Sequence, residues 1–321
     1  MEDQHTPVIW AYRLFLDREP ESSQVIGDRA GLSNTSQDLR LEFMRSEEFR
    51  QKNPWMNQPA LTGDEPGMEM EDVQSKADLQ TLFQHIQDTW QHLGETEPHW
   101  SVSSSKEYLQ ENIHRSKKAF YDSGQDDLTR LFRTLERNGI DYSSFKTCLE
   151  YGCGLGRATR WLAKRFEVVF GCDISRSHLQ EAESYLAGEG VRNVTLKHIR
   201  QINDVANLPK VDVIYSFIVL QHNPPPVISL IIREFIRALR PGGVALFQVP
   251  TYRLGYRFVL KEYLGQEYTR RDMEMHVLAQ KQIFEIIAQE GGRLIQVLED
   301  VLAGCRAKEV SNTFLVQKGT G

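Results

Sequence analysis

Apolar residues recur at helical spacing near the start of the chain. Steps of three or four residues place them on one side of a helix, and small or turn-forming residues interrupt the middle of the stretch. The apolar positions are Ile9, Tyr12, Leu16, Leu39, Phe43 and Phe49, and the interruptions are Gly27, Gly31 and Asn34. The pattern predicts a small helical module over residues 1–50.

A second pattern follows in residues 51–105. Residues 51–71 mix Pro, Gly, Asn, Gln and acidic residues without apolar periodicity, which predicts a flexible linker. An apolar stripe then indicates an amphipathic helix that packs in a core or an oligomer. Its members are Leu79, Leu82, Phe83, Ile86, Trp90 and Leu93.

From residue 125 onward, predicted helices and short buried strands alternate. Five strands, "TCLEYG", "EVVFGCD", "NVTLKHI", "VDVIYSF" and "VALFQVP", are separated by helical stretches. Such alternation indicates parallel pairing with helices on both faces of the sheet. The last two strands, "RLIQVLED" and "TFLVQK", follow each other directly and predict an antiparallel hairpin at the sheet edge. Residues 106–321 are therefore predicted to form one α/β domain.

Composition narrows the class of protein. The chain has 321 residues, of which 40% are hydrophobic, and no apolar run is long enough for a membrane helix. The first residues lack the order of a signal peptide, so we expect a cytoplasmic protein without an integral membrane segment. The cysteines fit neither a disulfide framework nor a zinc site, so reduced thiols are expected at Cys148, Cys153, Cys172 and Cys305.

Charge divides the chain in two. Residues 1–105 carry 19 acidic and 8 basic side chains, which leaves 25 acidic and 30 basic for the rest. The first third is thus near −11 and the remainder near +5, without a block of Lys and Arg. This distribution argues against a nucleic-acid partner.

A glycine-rich turn, "EYGCGLGR", follows the first strand of the α/β domain. Glycines are needed where the backbone turns tightly and a ligand approaches main-chain atoms. A dinucleotide site has G-x-G-x-x-G, whereas here Arg157 stands where the third glycine would fall. Glu150 would repel a pyrophosphate but could accept a hydrogen bond from a ligand ammonium. Asp173, at the end of the next strand, can accept ribose hydroxyls in either class of cofactor.

Together, Glu150, the G-x-G-x-G turn and Asp173 resemble the first motifs of class I S-adenosylmethionine-dependent methyltransferases. The resemblance extends from about residue 126 to residue 318 and includes the terminal hairpin. It implies a Rossmann-like sheet of seven strands, the last one antiparallel, with S-adenosylmethionine as the cofactor. A NAD-type oxidoreductase is the less favoured alternative.

The resemblance also implies roles for single residues. The methionine part of the cofactor would be held by Glu150, Gly152, Cys153, Gly154 and Gly156. Asp173 would bind the ribose and Ile174 would pack on the adenine. Asp204 would lie near the adenine amino group, although a surface turn would look the same. Arg157 would reach the methionine carboxylate or form a surface ion pair, and Tyr121 would contact the cofactor.

Two histidines are candidate bases at the reaction site. Asp212, Ser216, Leu220 and His222 resemble a pattern of small-molecule methyltransferases, in which His222 would accept a hydroxyl proton or only support its loop. The following "NPPP" lies too far past the strand for a DNA-type motif and suits the first turn of a helix. Residues 251–276, an insertion rich in tyrosine, are expected to cover the acceptor, with His276 as a second candidate base.

Further resemblances suggest an acceptor and a partner. Stretches such as "YSFIVLQHNPPPVI" look like bacterial methyltransferases linked with surface-polysaccharide assembly, which implies O-methylation of a sugar, a glycan or a related metabolite. The opening "YRLFLDREPESSQ" resembles a bacterial helical domain of unknown function, which implies a docking module for a protein partner. The alternative is a binding or scaffold protein that keeps the methyltransferase fold.

Overall fold

The structure, a computed structural model, describes residues 5–32, 35–53, 61, 63–71, 75–265, 273–300, 302 and 309–320. The chain divides into two compact units, Met1–Thr62 and Gly63–Gly321. Asn34, Tyr268 of the tyrosine-rich insertion and Cys305 lie outside the described residues. In the described part of the chain, no helix combines the length and the apolar character needed to cross a membrane.

The first unit is helical, as the apolar spacing predicts. Its helices are α1 (His5–Leu16), α2 (Ser23–Leu32), α3 (Ser36–Arg45) and α4 (Glu47–Lys52). The side chains of Tyr12 and Phe43 are almost fully buried and meet edge to face, with ring centroids 4.9 Å apart. The hydroxyl of Thr35 accepts a hydrogen bond from the Asp38 amide and so caps α3. The unit therefore has a small core of its own.

The second unit contains the remaining helices and all the described strands. The helices are α5 (Lys76–Thr96), α6 (Pro98–Val102), α7 (Ile113–Asp122), α8 (Gly124–Arg137), α9 (Thr159–Leu162), α10 (Arg176–Gly188), α11 (Ile202–Val205), α12 (Pro225–Ala238), α13 (Leu260–Gly265) and α14 (Gln280–Gln289). The strands are β1 (Glu69–Met70), β2 (Thr147–Tyr151), β3 (Val168–Asp173), β4 (Val194–His198), β5 (Val211–Ser216), β6 (Leu239–Arg253), β7 (Arg257–Phe258), β8 (Gly292–Asp300) and β9 (Glu309–Lys318).

Seven strands form the main sheet in the order β4-β3-β2-β5-β6-β9-β8. The first five are parallel, and β9 is antiparallel to both of its neighbours. The predicted α/β class and the antiparallel last strand are confirmed. The terminal hairpin also forms, but its second strand lies inside the sheet, between β6 and β8, so that β8 is the edge strand.

The helices cover both faces of this sheet. On one face, α12 is buried along most of its length and packs with α14 and α5. On the other face, Leu131 and Leu135 of α8 pack with Leu162 of α9. In the apolar stripe of α5, Leu82 and Phe83 have no exposed surface. This helix, grouped with the linker by the sequence pattern, is therefore part of the core of the second unit.

Residues 63–71, within the range predicted as a linker, contain the short strand β1 and contact the insertion. Strand β1 pairs in parallel with β7 of the insertion. The Arg257 guanidinium binds the Glu69 carboxylate at 2.7 Å, and the Tyr252 hydroxyl donates to the Pro66 carbonyl at 2.9 Å. These contacts join residues distant in sequence, so local composition does not reveal them.

The division at residue 62 can be tested with truncated proteins. We expect a protein that begins at Gly63 to keep a single cooperative unfolding transition, because its core is complete. A matched protein that begins at Ser75 loses β1 and should melt about 5 °C lower, which corresponds to roughly 1–2 kcal/mol. Thermal unfolding followed by circular dichroism measures both. Loss of the cooperative transition in the longer protein would show that the units do not fold separately.

Candidate active site

A cavity of about 250 Å³ lies at the carboxyl ends of β2, β3 and β5. The turn after β2 supplies Gly152 and Gly154, and the end of β3 supplies Asp173. His222, in the single helical turn Leu220–His222 after β5, faces the cavity as well. The cavity therefore occupies the place where open parallel sheets bind ligands.

The glycine turn requires glycine for two reasons. Gly152 and Gly154 have φ angles of 75° and 51°, in the left-handed region that L side chains rarely adopt. A Cβ atom on Gly152 would lie 2.3 Å from Val219 Cγ2, and one on Gly154 would lie 2.9 Å from Val102 Cγ2. The turn is thus packed directly against the loop after β5 and against α6.

Asp173 holds the turn and the start of the next loop together. Its two carboxylate oxygens accept hydrogen bonds from the amides of Gly154 and Ser175, each at 2.8 Å. The carboxylate is buried at the cavity wall, beside Ile174, which also lines the cavity. Each oxygen has a second lone pair, so the position suits a carboxylate that also binds ribose hydroxyls.

Glu150 brings a carboxyl group into the protein interior. Burial raises its pKa to about 8, and the Thr159 hydroxyl donates to it at 2.5 Å. The group therefore binds a proton at neutral pH when no cation is near. A ligand with a positive charge beside Glu150 would favour the ionised form.

Acidic side chains outnumber basic ones around the cavity. The carboxylates are Asp126, Asp127, Glu150 and Asp173, and the guanidinium groups are Arg130 and Arg157. Arg157 lies 2.6 Å from Asp127, a buried residue, instead of forming a surface ion pair. This excess of carboxylates suits a cationic ligand and opposes a dinucleotide pyrophosphate.

His222 has a defined tautomer. Its Nδ1 lies 2.9 Å from the main-chain carbonyl oxygen of Glu274. A carbonyl oxygen only accepts, so Nδ1 carries the proton and Nε2 keeps its lone pair. Burial lowers the pKa of His222 to about 4, so that the ring is neutral at pH 7. The edge of the neighbouring Trp90 ring packs against it at 5.0 Å.

Four of the predicted site residues are not among the described residues that line the cavity. Three of them were predicted to bind the cofactor. The Tyr121 ring stacks on Tyr185 with centroids 3.4 Å apart and does not line the cavity. Asp204 accepts a hydrogen bond from the Arg200 amide at 2.9 Å, as expected of a surface turn. Gly156 lies behind the lining, where its φ of 78° starts the turn into α9.

His276, the fourth of these residues, is enclosed by the insertion. Its Nδ1 lies 2.8 Å from the Tyr256 hydroxyl, and its Nε2 lies 3.0 Å from the Glu274 carboxylate. Both ring nitrogens therefore have partners within the protein. This arrangement does not suit a base that takes a proton from an acceptor.

Several lining residues were not predicted from the sequence. Ile86 and Trp90 lie on the apolar stripe of α5, but the stripe alone does not show that its end reaches the cavity. Ile218 has a φ of 56°, which is rare for a β-branched residue, and its amide donates to Gln248 Oε1 at 3.0 Å. No local sequence signal predicts that conformation.

A comparison with known families finds one match that overlaps this site. The family described as "Methyltransferase domain" matches residues 148–243, which include the glycine turn, Asp173 and His222. Residues 148–243 are therefore similar to a methyltransferase domain. Most of the residues that line the cavity lie within this range, and others, such as Trp90 and Asp127, lie outside it.

Curated relatives of the methyltransferase domain match over part of their length. Methyltransferase GfsG of Streptomyces halstedii is 30% identical over 109 residues, which are 32% of this chain and 37% of that protein. The ubiquinone biosynthesis O-methyltransferase of Serratia proteamaculans is 28% identical over 139 residues, which are 43% of this chain and 55% of that protein. The chain thus spans about half or less of these two relatives.

A solved structure shows the same fold. The magnesium protoporphyrin IX methyltransferase of Synechocystis PCC 6803, solved with bound S-adenosylhomocysteine, has a TM-score of 0.50 at 18% identity. The likeness covers 74% of this chain and all of that protein (100%). This likeness confirms the Rossmann-like class I fold predicted from the sequence.

The close packing of the glycine turn gives a first prediction for the site. We expect Gly152→Ala to weaken S-adenosylhomocysteine binding by about a hundredfold, or about 2.7 kcal/mol, because the new Cβ meets Val219. Gly255→Ala is the matched control, since Gly255 has a similar φ of 73° but no atom within 4 Å of the place that a Cβ would occupy. Calorimetry measures affinity, and equal losses in both variants would contradict the role of the contact.

The raised pKa of Glu150 gives a second prediction. A ligand ammonium favours ionised Glu150, so binding releases a proton below pH 8 and affinity should rise from pH 6 to pH 8. In Glu150→Gln that group cannot titrate. The ratio of the two dissociation constants for S-adenosylhomocysteine, variant over wild type, should therefore grow about tenfold or more over this range.

Calorimetry at pH 6, 7 and 8 measures both constants. The ligand amine titrates equally against either protein and cancels in the ratio. A ratio independent of pH would show that Glu150 does not titrate with binding.

Proposed function

We propose that the protein methylates a hydroxyl oxygen of a small molecule and that His222 Nε2 accepts the hydroxyl proton. The observation that carries the proposal is the hydrogen bond between His222 Nδ1 and the Glu274 carbonyl, because it places the ring proton on Nδ1 and makes Nε2 the acceptor. The side-chain amide nitrogen of Gln221 approaches Nε2 only to 3.5 Å, which is a weak contact. His222 lies beside the cavity that also contains the cofactor-type carboxylates. A base and a cofactor site therefore share one enclosed space.

S-adenosylmethionine supplies an electrophilic methyl group when bound. Glu150 suits its ammonium, and Asp173 suits its ribose hydroxyls, since both carboxyl groups face the cavity. The main chain at Gly152 and Gly154 allows a ligand to approach closely. Holding both reactants in one orientation accounts for much of the acceleration expected in such a transfer.

A weak base is sufficient for this reaction. The acceptor hydroxyl becomes strongly acidic as its oxygen gains the methyl group, so even an imidazole of low pKa can take the proton. Burial lowers the pKa of His222 to about 4, although the hydrogen bond to the Glu274 carbonyl raises it, so the ring is neutral above that pH. We therefore expect the His222 ring to remain unprotonated at Nε2, and so able to accept a proton, between pH 8 and pH 6.

The surroundings of His222 support an acceptor with an apolar ring. Trp90, Ile218 and Val219 line the cavity together with His222, and the Trp90 ring packs against the His222 ring. Apolar and aromatic side chains of this kind suit the face of a ring compound. Ubiquinone biosynthesis O-methyltransferases are among the relatives. A hydroxylated ring compound is accordingly proposed in preference to the sugar or glycan expected from the sequence.

The first unit is proposed to be a docking module for a protein partner. Helix α1 exposes Trp10 and Leu14, which lie one turn apart. Large apolar side chains that remain exposed on a helix are typical of interaction surfaces. No catalytic role is assigned to this unit.

The proposed reaction can be tested with a tritiated methyl group. Wild-type protein is incubated with labelled S-adenosylmethionine and a panel of hydroxylated aromatic compounds, free sugars and nucleotide sugars. We expect label in the hydroxylated aromatic compounds. For the accepted compound, His222→Gln should lower turnover by about a hundredfold and leave S-adenosylhomocysteine affinity within about threefold.

His114→Gln provides the matched control, because His114 is exposed on α7. If only sugars became labelled, the proposal of an apolar acceptor would be wrong. Unchanged turnover in His222→Gln would show that another group, or water, takes the proton.

A further inference from the structure

The insertion, residues 251–276, lies close to the proposed base and forms hydrogen bonds with the turn that carries it. We infer that Glu274 is a positioning residue whose main-chain carbonyl selects the His222 tautomer while its carboxylate anchors that carbonyl through Tyr263 and His276. The inference rests on the proposed role of His222. Its test uses a property of the imidazole ring that does not depend on methyl transfer.

The first step is the contact between the two segments. Residues 273–279 have no regular secondary structure, yet the Glu274 carbonyl meets His222 Nδ1 at 2.9 Å. The His276 amide donates to the carbonyl of Gln221, the residue before His222, at 2.6 Å. Two hydrogen bonds therefore join the insertion to the turn that carries the base.

The second step is the anchoring of the Glu274 carboxylate. Its Oε2 accepts a hydrogen bond from the Tyr263 hydroxyl at 2.6 Å and lies 3.0 Å from His276 Nε2. Although burial opposes ionisation, hydrogen bonds from His276 and Tyr263 leave the pKa of Glu274 below its usual value. The carboxylate is therefore ionised at neutral pH and accepts from both partners.

The third step is the orientation of His276. An ionised carboxylate only accepts hydrogen bonds, so His276 Nε2 carries a proton. On the other side of the ring, His276 Nδ1 lies 2.8 Å from the Tyr256 hydroxyl, so both ring nitrogens have partners within the insertion. The Arg253 guanidinium also donates to the Met275 carbonyl at 2.8 Å. Side chains from both ends of the insertion thus fix the segment that contains the Glu274 carbonyl.

This arrangement has a chemical consequence at His222. In water the two neutral tautomers of imidazole have similar energies, and only the one with its proton on Nδ1 offers a lone pair at Nε2. When Nε2 takes a proton, Nδ1–H continues to donate to the Glu274 carbonyl, which also stabilises the resulting cation. The insertion would therefore keep the base in its active form.

The tautomer can be measured directly by NMR on the full-length protein. Long-range proton–nitrogen spectra of protein with ¹⁵N-labelled histidine distinguish Nδ1–H from Nε2–H, and His222→Gln identifies the signals of His222. We expect wild-type His222 to be almost entirely in the Nδ1–H form. In Glu274→Ala the ratio of the two tautomers should fall about tenfold or more, equivalent to about 1.4 kcal/mol.

Tyr263→Phe removes one anchor and should shift the ratio in the same direction. Tyr252→Phe is the matched control, since Tyr252 belongs to the same insertion but donates to Pro66 instead. Wild-type His222 in the Nε2–H form would overturn the inference, and so would an unchanged ratio in both Glu274→Ala and Tyr263→Phe. If Glu274→Ala does not fold, Tyr263→Phe alone decides.

The tautomer test of Glu274 and the methyl-transfer test of the proposed function can fail independently of each other. If no acceptor is methylated, the NMR result still supports or overturns the positioning role. Where an acceptor is found, Glu274→Ala should lower kcat about tenfold and change KM for S-adenosylmethionine by less than about twofold. A purely structural role for Glu274 would lower stability without changing the tautomer ratio.

Discussion

The close approach of the glycine turn to its neighbours is the constraint on which the site depends. Without a Cβ at Gly152 and Gly154, the turn packs directly against Val219 and Val102. That contact joins three parts of the chain at one edge of the sheet: the cofactor turn, the loop after β5 and the helix α6. Because Val219 lies three residues before His222, the same contact helps to place His222 beside the cavity.

Burial shifts the pKa values of two residues that line this cavity, Glu150 and His222, in opposite directions. Near the glycine turn, burial raises the pKa of Glu150, so the carboxyl group gains most from a cationic ligand. After β5, burial lowers the pKa of His222, so the imidazole remains neutral. The first effect favours a cofactor with positive charge, and the second maintains an acceptor for a proton. Desolvation of a charged group is the common cause.

Local sequence was sufficient for most of the regular elements. Strand-helix alternation predicted the parallel sheet, and the resemblance to methyltransferase motifs assigned Glu150, Gly152 and Asp173, which line the cavity. The same resemblance named Asp204, and the insertion named His276, but the side chains of both have partners within the protein and do not line the cavity. Residue type and position along a strand do not reveal which partner a side chain finds.

The sequence by itself determined the class of fold and the glycine turn, since these depend on periodicity and on residues close together in the chain, and it named His222 and His276 as candidate bases. Tertiary structure decided that β9 lies inside the sheet, that α5 reaches the cavity and that Glu274 holds His222. These features join segments separated by many residues, as His222 and Glu274 are by 52. Such contacts arise from packing of the whole domain, because no local pattern encodes them.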